Sequence, residues 1–162
     1  MTHQNIPWRR AYLAGILGTL VFSILLHFAP VVGSPRLNLP LWGGTLITLN
    51  LGAATLVGYG LEFGIGVLLA RAYQSWAPRV KSSPVGRGAL YGLLLWAVLM
   101  LFGLPLFGML SPLVSHGLML SPGVFAWHYG LSTALLFMVS LLMYGISIGY
   151  LIDTPVLKRL AG

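Results

Sequence analysis

The stretch GVFAWHYGLSTALLFMVSLLMYGISIGYLI, residues 123–152, contains no Asp, Glu, Lys or Arg. A membrane-spanning helix needs about 20 predominantly apolar residues, so this stretch is long enough to cross a bilayer. Comparable stretches occur at about 10–33, 47–72 and 86–110. The chain is therefore predicted to be an all-α membrane protein, with four transmembrane helices in an up-down-up-down bundle that forms one integral membrane domain over residues 1–162.

The composition of the whole chain favours the same class of protein. Of its 162 residues, 57% are hydrophobic, 7% are charged, and Asp plus Glu total 2. So few charged residues cannot cover a soluble domain, and the absence of Cys excludes a disulfide scaffold. Nucleophilic catalysis needs a nucleophile with an activating base beside it, which this composition hardly offers. We therefore expect a protein that is not an enzyme.

The basic residues are concentrated on one side of the predicted membrane. Eight of the nine Lys and Arg flank the same helix ends: Arg9, Arg10, Arg71, Arg79, Lys81, Arg87, Lys158 and Arg159. The positive-inside rule then places this side and both termini in the cytoplasm, which predicts a multi-pass protein of the bacterial cytoplasmic (inner) membrane. The net charge of +7 describes a basic collar at that surface, so no nucleic-acid partner is expected.

Small polar residues before proline mark three predicted helix starts. Ser83 precedes Pro84 and Ser121 precedes Pro122, while Asn5 stands two residues before Pro7. Such residues cap helix N-termini, and proline is tolerated at the first helical position because its missing N–H would have no partner there. These pairs are predicted to begin the third, fourth and first helices.

The two halves of the sequence share a degenerate pattern. PVVG at 30–33 matches PLFG at 105–108, and FGIG at 63–66 matches YGIS at 144–147. Matching hairpins of like orientation indicate duplication of a two-helix unit. Chance similarity between glycine-rich apolar helices is the alternative.

The glycine and proline spacing resembles that of a known group of proteins. The pattern comprises Gly15 to Gly33 with Gly18-Thr19, Gly58 to Gly66, the run Arg87-Gly88-Ala89-Leu90-Tyr91-Gly92, Trp96, Pro105, and Tyr144-Gly145 to Gly149. Over most of the chain it resembles an uncharacterised bacterial family of small four-helix integral membrane proteins. That family has no assigned activity, so the resemblance implies a fold and no function. Its pattern places a histidine about where Glu62 stands here, so chemistry at this position would not be shared.

Small residues are expected to mark helix contacts, because in lipid they let helix backbones approach closely. The candidate packing residues are Gly58, Gly60, Gly64 and Gly66 on the second helix and Gly88 and Gly92 on the third. Gly60 and Gly64 lie on one face of the second helix, and Gly58, Glu62 and Gly66 lie nearly opposite. A helix with small residues on both sides is expected to have neighbours on both sides. Besides the lipid bilayer, these neighbours would be other membrane subunits or a second copy of the chain.

Glu62 is predicted to lie near the middle of the second helix. An ionised carboxylate at that depth is costly, so it should be protonated, paired or next to water. The candidate partners in the chain are hydroxyl groups such as those of Thr55 or Ser140, Tyr59 or a histidine, so a neutral carboxyl is expected. Two interpretations stay open: a hydrogen-bonded structural acid, or a group that handles protons, binds a ligand or contacts a cation of another subunit.

The hydroxyl groups within the predicted spans have a simpler interpretation. Ser23, Thr55, Ser132 and Ser140 are expected to bond a carbonyl three or four residues back or a neighbouring helix. They would then hold the helices together without taking part in chemistry.

Two histidines are predicted to lie at a common depth. His27 stands six residues before Gly33 and His128 six residues after Pro122. Histidines at one level on adjacent helices are what axial ligation of haem b requires, so His27 and His128 are candidate cofactor ligands. His116 could instead add to a metal site, although no metal site is predicted. Interfacial histidines bonded to water or headgroups are the alternative, so the sequence leaves the cofactor undetermined.

Three functions remain compatible with the sequence. The first is a non-catalytic accessory or structural subunit of a larger bacterial membrane complex of respiratory or photosynthetic type. The alternative is a small haem b or quinone-binding electron-transfer protein built on the two histidines. A further alternative is a small oligomeric transporter or channel that uses Glu62.

Overall fold

A computed structural model describes residues 8–35 and 38–153, and every regular element within these ranges is helical. The α-helices are α1 (Trp8–His27), α2 (Leu39–Thr45), α3 (Leu51–Trp76), α4 (Pro84–Val98), α5 (Leu104–Leu110), α6 (Pro112–Ser115) and α7 (Leu131–Asp153). Short 3-10 helices lie at Ala29–Val32, Ala77–Arg79 and Val124–Tyr129, and a π-helical turn lies at Leu99–Gly103.

Four helical segments are long and apolar enough to cross a membrane. They are Trp8–His27, Leu51–Arg79, Pro84–Leu110 and Leu131–Asp153. Less than half of the most apolar part of each is buried inside the protein, which leaves large apolar faces for contact with a lipid bilayer. The prediction of an all-α protein with four candidate membrane-spanning helices is confirmed.

The first span is shorter than predicted. We expected it at 10–33, but α1 ends at His27 and the chain continues as the 3-10 helix Ala29–Val32. Gly33 then takes a left-handed conformation with φ 74°, and its N–H bonds the carbonyls of Ala29 and Pro30. Pro30 has no N–H to bond the carbonyl four residues back, so the α-helix cannot continue regularly through it. The sequence remains apolar beyond this point, which is why the predicted span was too long.

The prediction that the last span begins near Ser121-Pro122 is wrong. α7 begins at Leu131, and the six residues Val124–Tyr129 form an irregular 3-10 segment. Gly123 and Gly130 have positive φ values, and Phe125 and Ala126 are left-handed at φ 53° and 52°. The apolar stretch 123–152 therefore contains a folded loop before its helix.

The other two spans begin at side-chain caps. The Ser83 hydroxyl accepts a hydrogen bond from the Gly86 N–H at 3.1 Å, which confirms the predicted start of the third span. The second span, predicted at 47–72, is α3 and begins one residue after Asn50, whose side-chain oxygen accepts from the Ala53 N–H at 3.1 Å. The predicted cap at Asn5 and Pro7 lies outside the described residues.

A π-helical turn joins α4 to α5 in one continuous span, as predicted at 86–110. The Leu104 N–H bonds the carbonyl of Leu99, five residues back. Pro105 follows directly, and a proline ring inside an α-helix collides with the carbonyl four residues back, which a widened turn relieves. Pro30 and Pro105, paired in the sequence repeat, therefore stand in different settings, one beyond a helix end and one inside a span.

The spans pack in the order α3, α1, α7, α4. A Cβ at Gly15 would lie 2.6 Å from the Cα of Val67, so α1 and α3 are in backbone contact. Between α1 and α7 the Phe22 and Phe137 ring centroids are 6.4 Å apart. The Tyr144 hydroxyl donates to the Gly66 carbonyl at 2.6 Å and ties α7 to α3. The core therefore lies around α7.

The short helix α2 lies along the first half of α3 and runs in the opposite direction. A Cβ at Gly44 would overlap the Ala54 backbone, and one at Gly58 would overlap the Pro40 backbone. The neighbour at Gly58 is thus this short helix and not another span. We call the end of the protein that carries Arg10, Arg79 and Arg87 the basic end.

Candidate functional site

A polar cavity of about 240 Å³ lies between α1, α2 and α3. Its polar lining consists of Ser23, His27, Asn38, Tyr59 and Glu62, and its apolar lining consists of Leu26, Leu39 and Pro40. His27, Asn38 and Tyr59 are exposed, whereas Glu62 is half-buried. Three candidate site residues from the sequence, Ser23, His27 and Glu62, therefore meet in one place.

Glu62 is bonded through one oxygen only. The Ser23 hydroxyl donates to Glu62 Oε1, while Oε2 is buried and has no hydrogen-bond partner among the described residues. We expected a hydroxyl group, such as that of Thr55, Ser140 or Tyr59, or a histidine as the partner, and the observed partner is the hydroxyl group of Ser23. Glu62 stands 11 residues along α3 from Leu51, or about 16 Å at 1.5 Å per residue, so the carboxyl lies deep within the span.

The register between α1 and α3 explains this pairing. A Cβ at Gly66 would overlap the Thr19 hydroxyl, so these residues face each other. One turn further along α1 is Ser23, and one turn back along α3 is Glu62. Because the two helices run in opposite directions, the second pair must also meet.

The remaining hydroxyl groups singled out in the sequence are not part of this cavity. The Thr55 hydroxyl donates to the Leu51 carbonyl at 3.0 Å, four residues back on its own helix. Ser140 is fully buried, and its hydroxyl has no partner within the described part of the chain. Ser132 is half-buried on α7.

His27 and His128 face separate cavities. His27 lines the cavity of Glu62, whereas His128 lines an apolar groove beside α4 and α7. His27 is the last residue of α1, whereas His128 lies in the 3-10 segment before α7 and not on the predicted fourth helix. This arrangement does not support a haem held between them. Among the described residues no three His, Asp or Glu lie close enough together to hold a metal ion. His116 is therefore not part of such a group.

The groove around His128 has a volume of about 720 Å³ and an almost wholly apolar lining. It is formed by the side chains of Trp96, Val124, Phe125, Trp127, His128, Leu131, Ala134 and Leu135, with backbone from Gly123 and Gly130. Sequence reasoning missed this groove because it placed a regular helix here. The two glycines that bracket an aromatic-rich run were the available signal, since glycine is favoured where φ is positive.

Hydrogen bonds fix two side chains of this groove. The Trp96 indole N–H donates to the Ala134 carbonyl at 3.0 Å. His128 Nδ1 lies 2.7 Å from the Ser121 carbonyl oxygen. A carbonyl can only accept, so Nδ1 carries a proton in this contact, and the neutral form of the ring presents Nε2 as an acceptor.

The six candidate packing glycines fall into two groups. Gly58 and Gly66 contact α2 and α1, and Gly88 and Gly92 lie against the Gly145 and Leu141 backbone of α7. Gly60 and Gly64 are exposed, and a Cβ at either would have no atom within 4 Å in the described structure. The Gly60–Gly64 face of α3 is thus not covered by any of the described residues.

An ion pair links α4 to α7 at the basic end. Arg87 Nη2 lies 3.0 Å from Asp153 Oδ2, and the Tyr73 hydroxyl donates to the same oxygen at 2.8 Å. Sequence reasoning did not pair these residues. If α4 and α7 are aligned as antiparallel helices with Gly88 and Gly92 against Gly145, Arg87 falls near the end of α7.

No protein-family model, curated protein or solved structure matches this chain at a significant level. The resemblance to the four-helix bacterial family therefore rests on the glycine and proline pattern alone.

Proposed function

We propose that the chain is a non-catalytic accessory subunit of a larger bacterial membrane complex of respiratory or photosynthetic type. The observation that carries this proposal is the empty Gly60–Gly64 face of α3. The other four candidate glycines are each in contact with a neighbouring helix. Because small residues serve close helix contacts in lipid, the uncovered pair fits a helix supplied by a partner.

The position of this face suits a partner. At 100° per residue, Gly60 and Glu62 point about 160° apart around α3. A helix on the Gly60–Gly64 face would therefore leave the Glu62 cavity open. The other faces of α3 are already covered in part by α1 and α2.

The proposed arrangement in the membrane is an up-down-up-down bundle with the basic end in the cytoplasm. Contacts between α4 and α7 support alternating directions, since Gly88 meets Gly145 and Gly92 meets Leu141. The positive-inside rule supports the orientation and a bacterial cytoplasmic membrane.

Bulk on the empty face should release the partner. We expect the protein, purified from its own membranes in mild detergent, to carry a stoichiometric foreign subunit in a native mass spectrum. Gly60→Leu combined with Gly64→Leu should remove most of it, because the added side chains would keep the backbone of a partner helix from approaching closely. The variant should still fold, since no described atom lies within 4 Å of either Cβ position.

The matched control adds bulk to exposed positions elsewhere on the same helix. Leu61→Phe combined with Ile65→Phe should retain the partner. A wild-type protein that runs alone or only as copies of itself contradicts the accessory role. Retention of a foreign subunit by the double leucine variant would contradict its placement on this face.

A second candidate function is binding of a hydroquinone in the groove around His128. The groove volume of about 720 Å³ falls within the range of about 300–1,000 Å³ that is typical of small-molecule sites. Its walls are aromatic and aliphatic, and His128 Nε2 offers an acceptor for a quinol hydroxyl. The left-handed Phe125 and Ala126 hold the groove residues in a sparsely populated backbone conformation, which often marks a binding site.

His128→Leu should weaken the binding of decylubiquinol to the detergent-solubilised protein about three- to tenfold, the usual range for one lost hydrogen bond. Equilibrium titration followed by tryptophan emission would measure this change, with an alkylbenzene that lacks hydroxyl groups correcting for nonspecific quenching. His27→Leu removes an imidazole outside the groove and should leave the affinity unchanged. Equal affinities for wild type and His128→Leu would exclude this function for His128.

A further inference from the structure

Within residues 8–35 and 38–153, no Lys or Arg side chain pairs with the carboxyl group of Glu62. The described residues give Glu62 one hydrogen bond, from Ser23, and no ion pair, and its Oε2 is buried without a partner. Arg71 is the nearest basic residue along α3 and stands nine residues away, or about 13 Å. A carboxyl at this depth needs a proton or a nearby cation.

The size of the cavity decides between a bare ion and an organic molecule. A water molecule occupies about 30 Å³, so a cavity of about 240 Å³ is far larger than a bare monovalent ion. It is also smaller than the about 300–1,000 Å³ of drug-sized sites. The described residues provide no cluster of three metal-ligating side chains. The cavity therefore fits a small organic cation.

The lining of the cavity defines the chemistry of that cation. Glu62 Oε2 is an unused acceptor, and Asn38 Oδ1 accepts one bond from Leu41 N–H and retains a second lone pair. Leu26, Leu39 and Pro40 supply the apolar part of the lining. An aromatic ring at the mouth, that of Tyr59, adds a face that attracts a positive charge.

We infer that this cavity binds a small primary ammonium ion, whose N–H groups bond Glu62 and whose alkyl part lies against Leu39 and Pro40. This site goes beyond the proposed accessory role and does not depend on it. The ammonium group could come from a free amine or from a phosphatidylethanolamine headgroup, since both carry the same donor. The exposed His27 and Asn38 at the mouth leave a path for either source.

Saturation-transfer difference NMR with ethylammonium chloride tests the inference on the purified full chain in phosphatidylglycerol vesicles. We expect saturable transfer to the ethyl protons of ethylammonium, no transfer to ethanol, and no displacement by an equal concentration of KCl. Glu62→Gln should lower the affinity at least tenfold, because it keeps the shape of the side chain and removes its charge. Absence of saturable transfer, or equal displacement by K⁺, would overturn the inference.

Two further variants keep the test independent of folding. Tyr59→Leu changes an exposed ring at the mouth and should weaken binding about threefold, as expected for one exposed cation–π contact. Ser132→Ala lies on α7 and should have no effect. If Tyr59→Leu and Glu62→Gln both bind like wild type, ethylammonium does not occupy this cavity.

The lipid composition separates the two sources of ammonium. Vesicles that also contain phosphatidylethanolamine should suppress the ethylammonium signal if the headgroup occupies the cavity. An unchanged signal assigns the site to a free amine. Either result supports an ammonium site, whereas a signal that is absent in phosphatidylglycerol alone refutes it.

Discussion

Replacing Gly145 with alanine should lower the free energy of unfolding by about 3 kcal/mol, the upper range for overpacked positions. A Cβ here would overlap the Gly88 carbonyl oxygen and lie 2.7 Å from the Gly92 nitrogen. These are backbone atoms, so no side-chain rotation can relieve the overlap. α4 would have to move away from α7. Titration with sodium dodecyl sulfate in mixed micelles, followed by far-ultraviolet circular dichroism, measures the loss.

Gly64→Ala is the matched control for this substitution. The two glycines are paired in the FGIG and YGIS segments of the sequence, but Gly64 has no described atom within 4 Å of its Cβ position. The change should be neutral or stabilise the protein by up to about 0.5–1 kcal/mol, because alanine is the better helix former. Similar losses at both positions would show that tight helix contact is not what requires Gly145.

Asp153→Asn should destabilise the protein by about 2 kcal/mol. Breaking a buried ion pair costs about 3–5 kcal/mol, and the partial exposure of Arg87 and Asp153, 22% and 14% of their side chains, reduces this value. Arg87 would then keep its charge between α4 and α7 without a carboxylate. The Tyr73 hydroxyl would also lose its charged acceptor. The same detergent titration measures the effect.

Removing both charges should restore part of the lost stability. Arg87→Met combined with Asp153→Leu leaves no uncompensated charge, and apolar replacement of both partners is often neutral. The double variant should therefore be more stable than Asp153→Asn. If it is less stable, or if Asp153→Asn alone has no effect, the ion pair does not hold α4 against α7.

The four spans could be predicted because their signal is local. Long apolar stretches and the Ser83 cap depend on residues next to one another, and both agree with the structure. The end of α1 at His27 and the start of α7 at Leu131 could not be predicted, because apolar composition does not reveal where a backbone leaves the helical conformation. α2 was also missed as a helix, since seven residues packed on α3 give no span signal.

The candidate site was predicted residue by residue but not as a whole. Ser23, His27 and Glu62 were each singled out, because polar groups at membrane depth are conspicuous in an apolar helix. Their meeting depends on how Gly66 and Thr19 fix the register of α1 against α3, which is a contact between distant parts of the chain. His27 and His128 line separate cavities for the same reason, since positions counted along the chain do not show where each helix begins.

The contact between Ser23 and Glu62 can form early, while the chain is still being synthesised. Ser23 is translated before Glu62, so the first span can already offer its hydroxyl when the carboxyl enters the bilayer. At seven residues, α2 is too short to cross a hydrocarbon layer of about 30 Å by itself. It can settle only once Ala54 and Gly58 have been made. When translation reaches Pro84, the nascent chain therefore already contains every residue that lines the Glu62 cavity.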